Sequence, residues 1–440
     1  MPSNEEGVET KLQRIAEKAR SDSTCRFTSL FHLMNRELLW GCFLDLKDNK
    51  ASGIDRITKE HYAENLLENL DDLVVRLHRM AYIPQPVRRV HIPKPGSNRK
   101  RPLGIPVLED KLVQAGLSKI LGAIYEQDFI EDSYGFRPGR SCHDALRAVE
   151  ETVYRCGTEY IVEADIKGFF DNVNHDQLME FLAHRIADNR VLRHIKRFLK
   201  AGISEDGACR ASDRGTPQGG VISPLLANIY LHYTLDLWFQ RRFHKSCTGT
   251  ARLIRYADDY VACFEQEADA IRFRKEMEER LNRFGLEIAP EKSRSLEFGP
   301  CAQKKAKERG GRKAQCFDFL GFTHYCTTTR SGKRFRVGRK TISKRMSAKL
   351  KAYKQWIRAN RTLPTAEIMR TTANKLRGHF AYYGISGNGK SISCYAYEVR
   401  MLLFKWLGRR GKRGSLSYAK FDLLLKRFPL PGPRIMVKLW

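Results

Sequence analysis

Residues 251–264 read ARLIRYADDYVACF, and this stretch decides how the rest of the chain is interpreted. Two short apolar runs, at 253–254 and 260–262, flank the adjacent acids Asp258 and Asp259. Apolar segments that meet at a short polar turn are typical of a β-hairpin. Neighbouring carboxylates repel each other, and hard oxygen ligands of this kind suit Mg²⁺. The stretch predicts a hairpin whose tip holds a metal ion, provided that a third carboxylate joins it.

A third acid follows another apolar run. Asp165 comes shortly after Tyr160, Ile161 and Val162 in the segment EYIVEADIKGFFDNV (159–173). An Asp at a strand end and an Asp in a hairpin can together hold two metal ions, which activate a 3′-hydroxyl and stabilise a leaving pyrophosphate. Phosphoryl transfer of this kind needs positioning and charge neutralisation rather than a nucleophilic side chain. Taken alone, Asp165 is equally well explained as a helix cap or a turn residue.

Composition and charge indicate a globular protein with a polyanionic partner. The chain has 440 residues, of which 42% are apolar and 10% aromatic, enough for two or three domains with sizeable cores. Its 79 Lys and Arg against 50 Asp and Glu give a formal net charge of +29, which favours nucleic acid as the partner. The excess is uneven, because residues 301–351 contain 16 Lys or Arg and only 2 acids.

Targeting and redox signals predict a cytoplasmic protein without a membrane span. The N-terminus lacks the apolar segment of a secretory signal, and no apolar run is long enough to cross a bilayer. Eleven Cys occur without a C-x-x-C pair, which argues against a zinc finger and favours reduced thiols.

Periodicity and punctuation predict a largely helical chain interrupted by short strands. Six prolines between residues 82 and 106 exclude a long helix there and leave a strand at 87–92 beside a basic turn. A further strand pair is predicted at 315–325. Helices are predicted at 9–19, 30–46, 61–80, 109–126, 142–154, 175–199, within 215–236, and at 265–284, 340–358, 365–383, 391–407 and 418–427.

Eight short blocks between residues 52 and 322 occur together in one order. They are SGIDRIT (52–58), RPLGIP (101–106), SYGFRPGRS (133–141), ADIKGFFDNVNH (164–175), GTPQGGVISPLLANIYL (215–231), RYADD (255–259), FGLEIAPEKS (284–293) and FLGF (319–322). With these blocks the chain resembles group II intron-encoded reverse transcriptases, also called maturases, over about residues 50–325. RGHFAYYGI (377–385) extends the resemblance more loosely toward the C-terminus.

The resemblance implies an α+β fold of the right-hand polymerase type. Residues 1–80 would form a helical N-terminal extension and 81–338 the fingers and palm, with an antiparallel palm sheet that carries helices on one face. Residues 339–440 would form a basic α-helical thumb or maturase domain. The given sequence stops too soon after the thumb for the family's C-terminal endonuclease domain and shows no paired Cys motif there, so the resemblance implies a form that lacks this domain.

The resemblance also implies an activity and partners. The protein would be an RNA-directed DNA polymerase that copies RNA into cDNA, and it would bind its intron RNA to assist splicing and retromobility. The implied partners are an RNA template, a DNA or RNA primer, dNTPs and a group II intron RNA. Residues 301–351 and the thumb would supply contacts to the RNA backbone, which makes binding salt-dependent.

The resemblance assigns the metal site residue by residue. Asp165, Asp258 and Asp259 match the triad that binds two Mg²⁺ ions, and Ile166 would lend a backbone carbonyl. Asp165 and Asp258 are the expected direct ligands, whereas Asp259 either orients them or coordinates less directly.

Five further residues match the family's nucleotide pocket. Phe170 would collide with a ribose 2′-hydroxyl and so select dNTPs, although a lone Phe is more often a core residue. Lys94 and Arg101 match cations that neutralise the triphosphate, but this turn is one residue longer than expected, so Arg99 or Lys100 could substitute. Gln218 would line the pocket, with an ordinary loop amide as the alternative. Lys292 would protonate the leaving pyrophosphate as a general acid, with an exposed lysine as the alternative.

Two rival functions remain open at this point. One is a non-catalytic RNA-binding splicing cofactor, against which the intact acids and Phe170 argue. The other is an intron-independent reverse transcriptase of a defence or repair system. Residues 384–391, GISGNGKS, also satisfy a P-loop pattern. A P-loop needs a later strand that ends in a metal-ligating acid, but after Ser391 the only acids are Glu398, within a predicted helix, and Asp422, before an apolar run. We therefore interpret the segment as a Gly-rich turn between two helices.

Overall fold

The computed structural model describes residues 7–93, 100–205, 208–210, 213–216, 219–290, 293–311, 313–329, 331–332, 334–410 and 416–439. In these ranges helices surround three sheets, two of four strands and one of three. The predicted α+β class is confirmed by this mixture of helices and largely antiparallel sheets. No helix within the described ranges is long and apolar enough to cross a membrane.

The N-terminal region is helical, as predicted. Its helices pack beside the long helix α5, to which α1 and α2 are closest. The predicted helix at 30–46 begins with a 3₁₀ turn and restarts at Asn35, whose side chain accepts a hydrogen bond from the Leu38 N–H. The helices are α1 (Val8–Ser21), α2 (Arg36–Asp45), α3 (Lys59–Ala63), α4 (Leu66–His78) and α5 (Leu108–Asp128).

The first sheet contains the strand predicted at 87–92. Strands β1 and β2 form an antiparallel pair around the basic turn, and β1 also pairs in parallel with β4, which pairs with β5. The turn itself, at 94–99, lies outside the described residues. The strands are β1 (Val87–Pro93), β2 (Lys100–Ile105), β4 (Ile203–Glu205) and β5 (Ala208–Arg210).

The central sheet contains the predicted hairpin. Its four strands are all antiparallel and lie in the order β6-β7-β3-β8. Residues 257 and 258 join β6 to β7, so the hairpin prediction is confirmed. The strands are β3 (Tyr160–Asp165), β6 (Ala251–Tyr256), β7 (Asp259–Phe264) and β8 (Arg294–Glu297).

Helices cover both faces of the central sheet, so the prediction of helices on one face is wrong. Helix α6 (Cys142–Arg155) packs against β6 and β7, and α11 (Glu267–Arg283) packs against β3 and β7. The physical reason is that β7 is apolar on both sides: Tyr260 and Ala262 belong to one hydrophobic core, and Val261 and Cys263 to the other. Strands buried on both faces have continuous apolar sequences rather than alternating ones.

The prediction of a single helix at 175–199 is also wrong, because the structure has two helices in this range. The structure has α8 (His175–Ala183) and α9 (Asn189–Lys200), separated by a break at Asp188. One carboxylate oxygen of Asp188 caps α9, and the other accepts hydrogen bonds from the N–H groups of Leu30 and Phe31. This tie to a distant segment overrides the local helical pattern. The short α7 (Phe169–Asn172) precedes α8, and α10 (Ser223–Leu231) continues as π-helical turns, His232–Asp236 and Phe239–Phe243.

The C-terminal part combines an antiparallel sheet with long helices. Strand β11 continues to Thr341, so the helix predicted from 340 begins at 343. The predicted domain boundary after residue 338 falls inside β11, and one hydrophobic core joins the last helices to α6 and the central sheet. Residues 384–388 join two helices, as predicted for the P-loop-like segment. The elements are α12 (Ala302–Glu308), β9 (Cys316–Phe319), β10 (Phe322–Thr328), β11 (Phe335–Thr341), α13 (Ser343–Asn360), α14 (Thr365–Tyr383), α15 (Gly389–Leu407) and α16 (Tyr418–Arg427).

Candidate active site

Three acids meet where the two middle strands of the central sheet, β3 and β7, come to one end, a place called the sheet edge below. Asp165 is the last residue of β3, and it lies opposite Asp259, the first residue of β7, in the ladder between these strands. Asp258 precedes Asp259 in the hairpin turn. Two elements that are far apart in sequence therefore bring the three predicted metal-binding acids together.

The crowding of these carboxylates is unfavourable without a cation. Burial raises the pKa of the Asp258 carboxyl, and the nearby Asp165 raises it further, whereas Arg101 and Arg255 act in the opposite direction. Repulsion between carboxylates in a partly dehydrated site is relieved by a bound cation. The electrostatics of this edge thus favour a divalent metal ion.

Asp259 is turned toward the C-terminal sheet. Burial raises its pKa to about 7, with Asp258 adding to the shift. The backbone N–H of Leu320, in the tight turn between β9 and β10, lies near this carboxyl and acts in the opposite direction, lowering its pKa. Leu320 has a φ of 47°, which is unusual for a bulky residue, and its carbonyl accepts a hydrogen bond of 2.8 Å from the Tyr382 hydroxyl. Asp259 is therefore placed beside the turn between β9 and β10.

The acids fit a metal site that the substrate completes. Within the described ranges, no three His, Cys, Asp or Glu side chains are arranged to hold a metal ion by themselves. Mg²⁺ is typically bound by one or two carboxylates together with substrate phosphates, rather than by an all-protein cage. Asp165 and Asp258 provide two hard carboxylates for such a site, so the donor set suits Mg²⁺.

The backbone of Ile166 is held beside these acids. The segment at 287–289 bonds to both sides of Ile166: the Lys167 N–H donates to the Glu287 carbonyl, and the Ala289 N–H donates to the Asp165 carbonyl, each at 2.8 Å. In this antiparallel geometry the carbonyl of Ile166 itself is directed away from that segment. It is left on the side of β3 where β7 lies, which suits the predicted backbone ligand.

Phe170 lines a cavity of about 360 Å³ between the first sheet and α7. Its ring is half-buried and packs edge-on against Phe169, with ring centroids 5.4 Å apart. The Thr216 N–H donates to the Phe170 carbonyl at 2.7 Å, which fixes the backbone of the aromatic residue. Gly104 and Arg89 of the first sheet form another wall of the same cavity.

The glycines of GTPQGG are explained by close backbone contacts. Gly219 has a φ of 114°, and a Cβ there would lie 2.3 Å from the Gly104 carbonyl oxygen. A Cβ on Gly215, at a φ of 85°, would lie 2.8 Å from the Phe170 carbonyl oxygen. Only glycine fits either position, and the loop therefore lies against both β2 and Phe170.

The structure describes only some of the other residues that were predicted to contact the nucleotide. Arg101 is an exposed residue of β2 whose charge acts on Asp258, so it is brought to the acids. Lys100, one of its alternatives, is also exposed on β2. Lys94, Arg99, Gln218 and Lys292 lie outside the described residues.

Sequence reasoning missed the polar residues buried behind the hairpin turn. Arg255 is completely buried and bonded to Asp236, Asn228 and Ser133, and it also bonds to the carbonyl of Ala257 in the turn. A signal existed, because an arginine inside an apolar strand requires a buried partner. Its partners could not be chosen from the sequence.

Comparison with known proteins assigns this architecture to a described class. The profile of the family "Reverse transcriptase (RNA-dependent DNA polymerase)" matches residues 92–324. The group II intron-encoded protein LtrA of Lactococcus lactis subsp. cremoris is 40% identical over 225 residues, 50% of this chain and 37% of LtrA. Protein YkfC of Escherichia coli K12 is 36% identical over 255 residues, 56% of this chain and 66% of YkfC. The nuclear intron maturase 1, mitochondrial, of Arabidopsis thaliana is 32% identical over 95 residues, 22% of this chain and 13% of that protein. The matched region spans less than two thirds of these relatives.

Proposed function

The chain belongs to the reverse transcriptase (RNA-dependent DNA polymerase) family, and from that premise we propose that it copies RNA into cDNA by two-metal phosphoryl transfer. The observation that carries the proposal is the meeting of Asp165, Asp258 and Asp259 at one edge of the central sheet, with the cation Arg101 close enough to act on Asp258. This edge combines an acidic metal-binding side with a basic side for phosphates. Such a pairing is what nucleotidyl transfer requires.

In this proposal Asp165 and Asp258, with the Ile166 carbonyl, would hold two Mg²⁺ ions, and Asp259, beside Leu320, would orient them or coordinate less directly. When bound, the ions would activate the primer 3′-hydroxyl and neutralise the leaving pyrophosphate. The chain's own contribution is to hold the carboxylates at one edge and to place Arg101 against the triphosphate. Lys94, Gln218 and Lys292 stay predictions as further contacts to the nucleotide.

Phe170 is proposed to select deoxyribonucleotides. The fixed backbone of this residue and its place on the cavity wall support a ring that cannot move aside for a 2′-hydroxyl. Exclusion by an immobile side chain discriminates against the larger substrate without a contact to the correct one.

We further propose that the protein binds a group II intron RNA and assists its splicing and mobility. The names of two relatives, a group II intron-encoded protein and an intron maturase, support this role. The basic C-terminal helices, proposed as a thumb, and the net charge of +29 supply the required electrostatic attraction. A cytoplasmic location stays a prediction. The intron-independent reverse transcriptase and the non-catalytic splicing cofactor are the competing functions.

Primer extension on an RNA template with Mg²⁺ and dNTPs tests the central proposal. We expect the wild type to extend the primer, and Asp258→Ala to lose extension while keeping its affinity for RNA. Asp269→Asn is a control, because Asp269 is a more deeply buried carboxylate that bonds to the Thr248 and Gly249 N–H groups, beyond the other end of β6 from the turn. Tight, salt-sensitive RNA binding without extension by the wild type would contradict polymerase activity and favour the splicing cofactor.

A further inference from the structure

Arg255 is buried in a way that local stability does not explain. Its side chain is fully enclosed, and two of its nitrogens bond to the two carboxylate oxygens of Asp236, with an Nε–Oδ1 distance of 2.8 Å. A buried ion pair is weak support for stability, because dehydrating both charges offsets much of their attraction. Asp236 ends a π-helical turn, an irregularity that is frequent at functional sites.

The remaining donors of Arg255 connect the hairpin turn to two other segments. Nη1 donates to the Ala257 carbonyl at 2.9 Å and to the Asn228 Oδ1 at 3.0 Å, and Nη2 donates to the Ser133 Oγ at 2.8 Å. Ala257 has a φ of 58°, a left-handed conformation that a non-glycine residue rarely adopts. The guanidinium therefore holds the residue immediately before Asp258 in an otherwise unfavourable conformation.

The same segments are locked together by contacts that do not involve the guanidinium. Asn228 donates through Nδ2 to the Gly135 carbonyl at 2.7 Å. A Cβ on Gly135 would lie only 2.3 Å from the Ala257 nitrogen, so the loop backbone rests directly on the turn. The Tyr134 N–H donates to the Arg255 carbonyl at 2.8 Å. The loop at 133–135 thus contacts the hairpin by side chain and by backbone, and Asn228 bonds both to this loop and to the guanidinium.

We propose that Arg255 is a positioning residue for Asp258, and that Asp236, Asn228 and Ser133 serve to orient its guanidinium. This inference rests on the proposed polymerase function of the acidic edge. It also gives a physical role to the blocks SYGFRPGRS and GTPQGGVISPLLANIYL, each of which contributes one side chain to the group around Arg255. These four side chains form a clamp, which fixes the Asp258 carboxylate relative to the Asp165 carboxylate at the sheet edge.

Arg339 is a matched control for the loss of a buried guanidinium. It is 1% exposed, and its Nη1 donates to the Glu150 Oε2 at 2.7 Å, but it lies on β11 and contacts no residue of the hairpin turn in the described chain. Arg255→Lys and Arg339→Lys both keep a positive charge, and both lose a guanidinium that bonds to a carboxylate and to a backbone carbonyl. A purely structural role would make the two variants alike.

The experiment compares both variants with the wild type by three measurements. We expect Arg255→Lys alone to lower kcat about 10- to 100-fold at saturating dNTP, because side chains that orient metal ligands have effects of this size. Hydrogen exchange of the 256–260 backbone should accelerate only in this variant. Its affinity for Mn²⁺, measured by electron paramagnetic resonance with primer–template bound, should fall about tenfold.

The outcomes separate this inference from the proposed function. Equal kcat, hydrogen exchange and Mn²⁺ affinity in the two Arg→Lys variants would overturn the positioning role, even if the wild type extends primers. A wild type without extension would refute the polymerase, while exchange and Mn²⁺ binding would still test the clamp. If Arg255→Lys does not fold, Asn228→Ala replaces it, because it removes one orienting contact and leaves the bond to Asp236; a kcat equal to the wild type's would then count against the clamp.

A second, independent observation concerns the exposed face of α9. Arg190, Arg193, Lys196 and Lys200 are all exposed and follow one another at intervals of three or four residues, so they share one face over about 15 Å. Helix α9 contains no acid, and none of the four forms an ion pair within the part of the chain that the structure describes. Leu199, which precedes Lys200, lines the same cavity as Phe170.

We infer that this face carries the phosphate backbone of an RNA strand toward the Phe170 cavity, an interaction surface that deepens the proposed function. Cations that neutralise phosphates release counterions, so each contact contributes about 0.7 to the dependence of binding on salt for a single strand. A face without acids and without paired cations is available for such contacts. A helix face with interspersed acids is not available for such contacts with phosphates.

Substitution of all four cations by Gln tests this surface. We expect the slope of log affinity for single-stranded RNA against log salt concentration to fall by roughly 3. The control changes Arg242, Arg274, Lys275 and Arg283 to Gln. These cations are also exposed, but three of them lie on α11, which contains acids, and Arg242 lies on the π-helical turn Phe239–Phe243. Equal slopes for the two variants would overturn the inference, whereas absence of primer extension by the wild type would instead refute the polymerase.

Discussion

The edge of the central sheet and the C-terminal helices use charge in opposite ways. At the edge, a few half-buried acids have fixed neighbours: Asp259 lies beside the Leu320 N–H, and Arg255 bonds to the residue before Asp258. On α13, the cations Lys344, Lys351, Lys354 and Arg358 are all exposed to solvent. The comparison teaches that the first region depends on the position of single groups, whereas the second depends on the number of charges.

The largest effect should follow from a change at the sheet edge. Asp165→Asn removes one carboxylate with almost no change in shape, so we expect primer extension to fall by on the order of 10³-fold, since electrostatic stabilisation by metal ions is worth several kcal/mol. RNA affinity should not change. Extension assays and filter binding on the same preparation measure both quantities. Comparable losses of extension and of RNA affinity would break the distinction between the two regions.

A smaller effect is expected at the cavity wall. Phe170→Val should reduce the preference for dNTPs over rNTPs by roughly 100-fold while kcat/KM for dNTPs changes little, because the lost ring excludes only the 2′-hydroxyl. Competitive incorporation assays give this ratio. Phe169→Val is the control, because Phe169 is a buried core residue whose loss should lower stability without altering sugar selection.

RNA binding by the C-terminal helices should depend on how many positive charges they carry. Changing Lys344, Lys351, Lys354 and Arg358 to Gln should lower the salt dependence of RNA binding by about 3 and leave kcat at saturating RNA within about twofold. Titrations at several salt concentrations provide the slope. A large loss of kcat would mean that this surface positions substrate as strictly as the sheet edge does.

The smallest effect concerns stability in acid. Burial lowers the pKa of His379 to about 3, and the ring stacks on Tyr383 and Tyr395 and lies beside Lys349. A histidine with a lowered folded-state pKa costs stability as the pH falls below its ordinary value of 6.5, because only the unfolded chain takes up the proton. We expect a loss of up to about 2 kcal/mol between pH 7 and pH 5.

Thermal unfolding of His379→Gln measures this contribution, because the variant should show a weaker pH dependence between pH 7 and pH 5 than the wild type. His61→Gln is the control, since His61 is exposed. Parallel pH profiles of the wild type and His379→Gln would exclude His379 as the source.

Much of the fold could be predicted locally. The hairpin, α14 and α16 were placed correctly because their apolar periodicity and bordering turn residues lie within a few positions of each other. Helices on one face of the central sheet and a single helix at 175–199 were wrong. Both errors arose where distant residues decide: a second core covers the other sheet face, and Asp188 bonds to residues 30 and 31.

The candidate site divides in the same way. The types of residue that it uses, paired acids after apolar runs and cations in a Gly-rich turn, follow from the sequence, because metal and phosphate chemistry restricts the choice of side chain. The sequence by itself thus determined the hairpin, the three acids and the basic partner-binding character. Only the tertiary structure decided that Asp259 faces Leu320 and that Arg255 holds the turn from behind. Those contacts join residues up to 122 positions apart, and local propensities carry no information about such pairs.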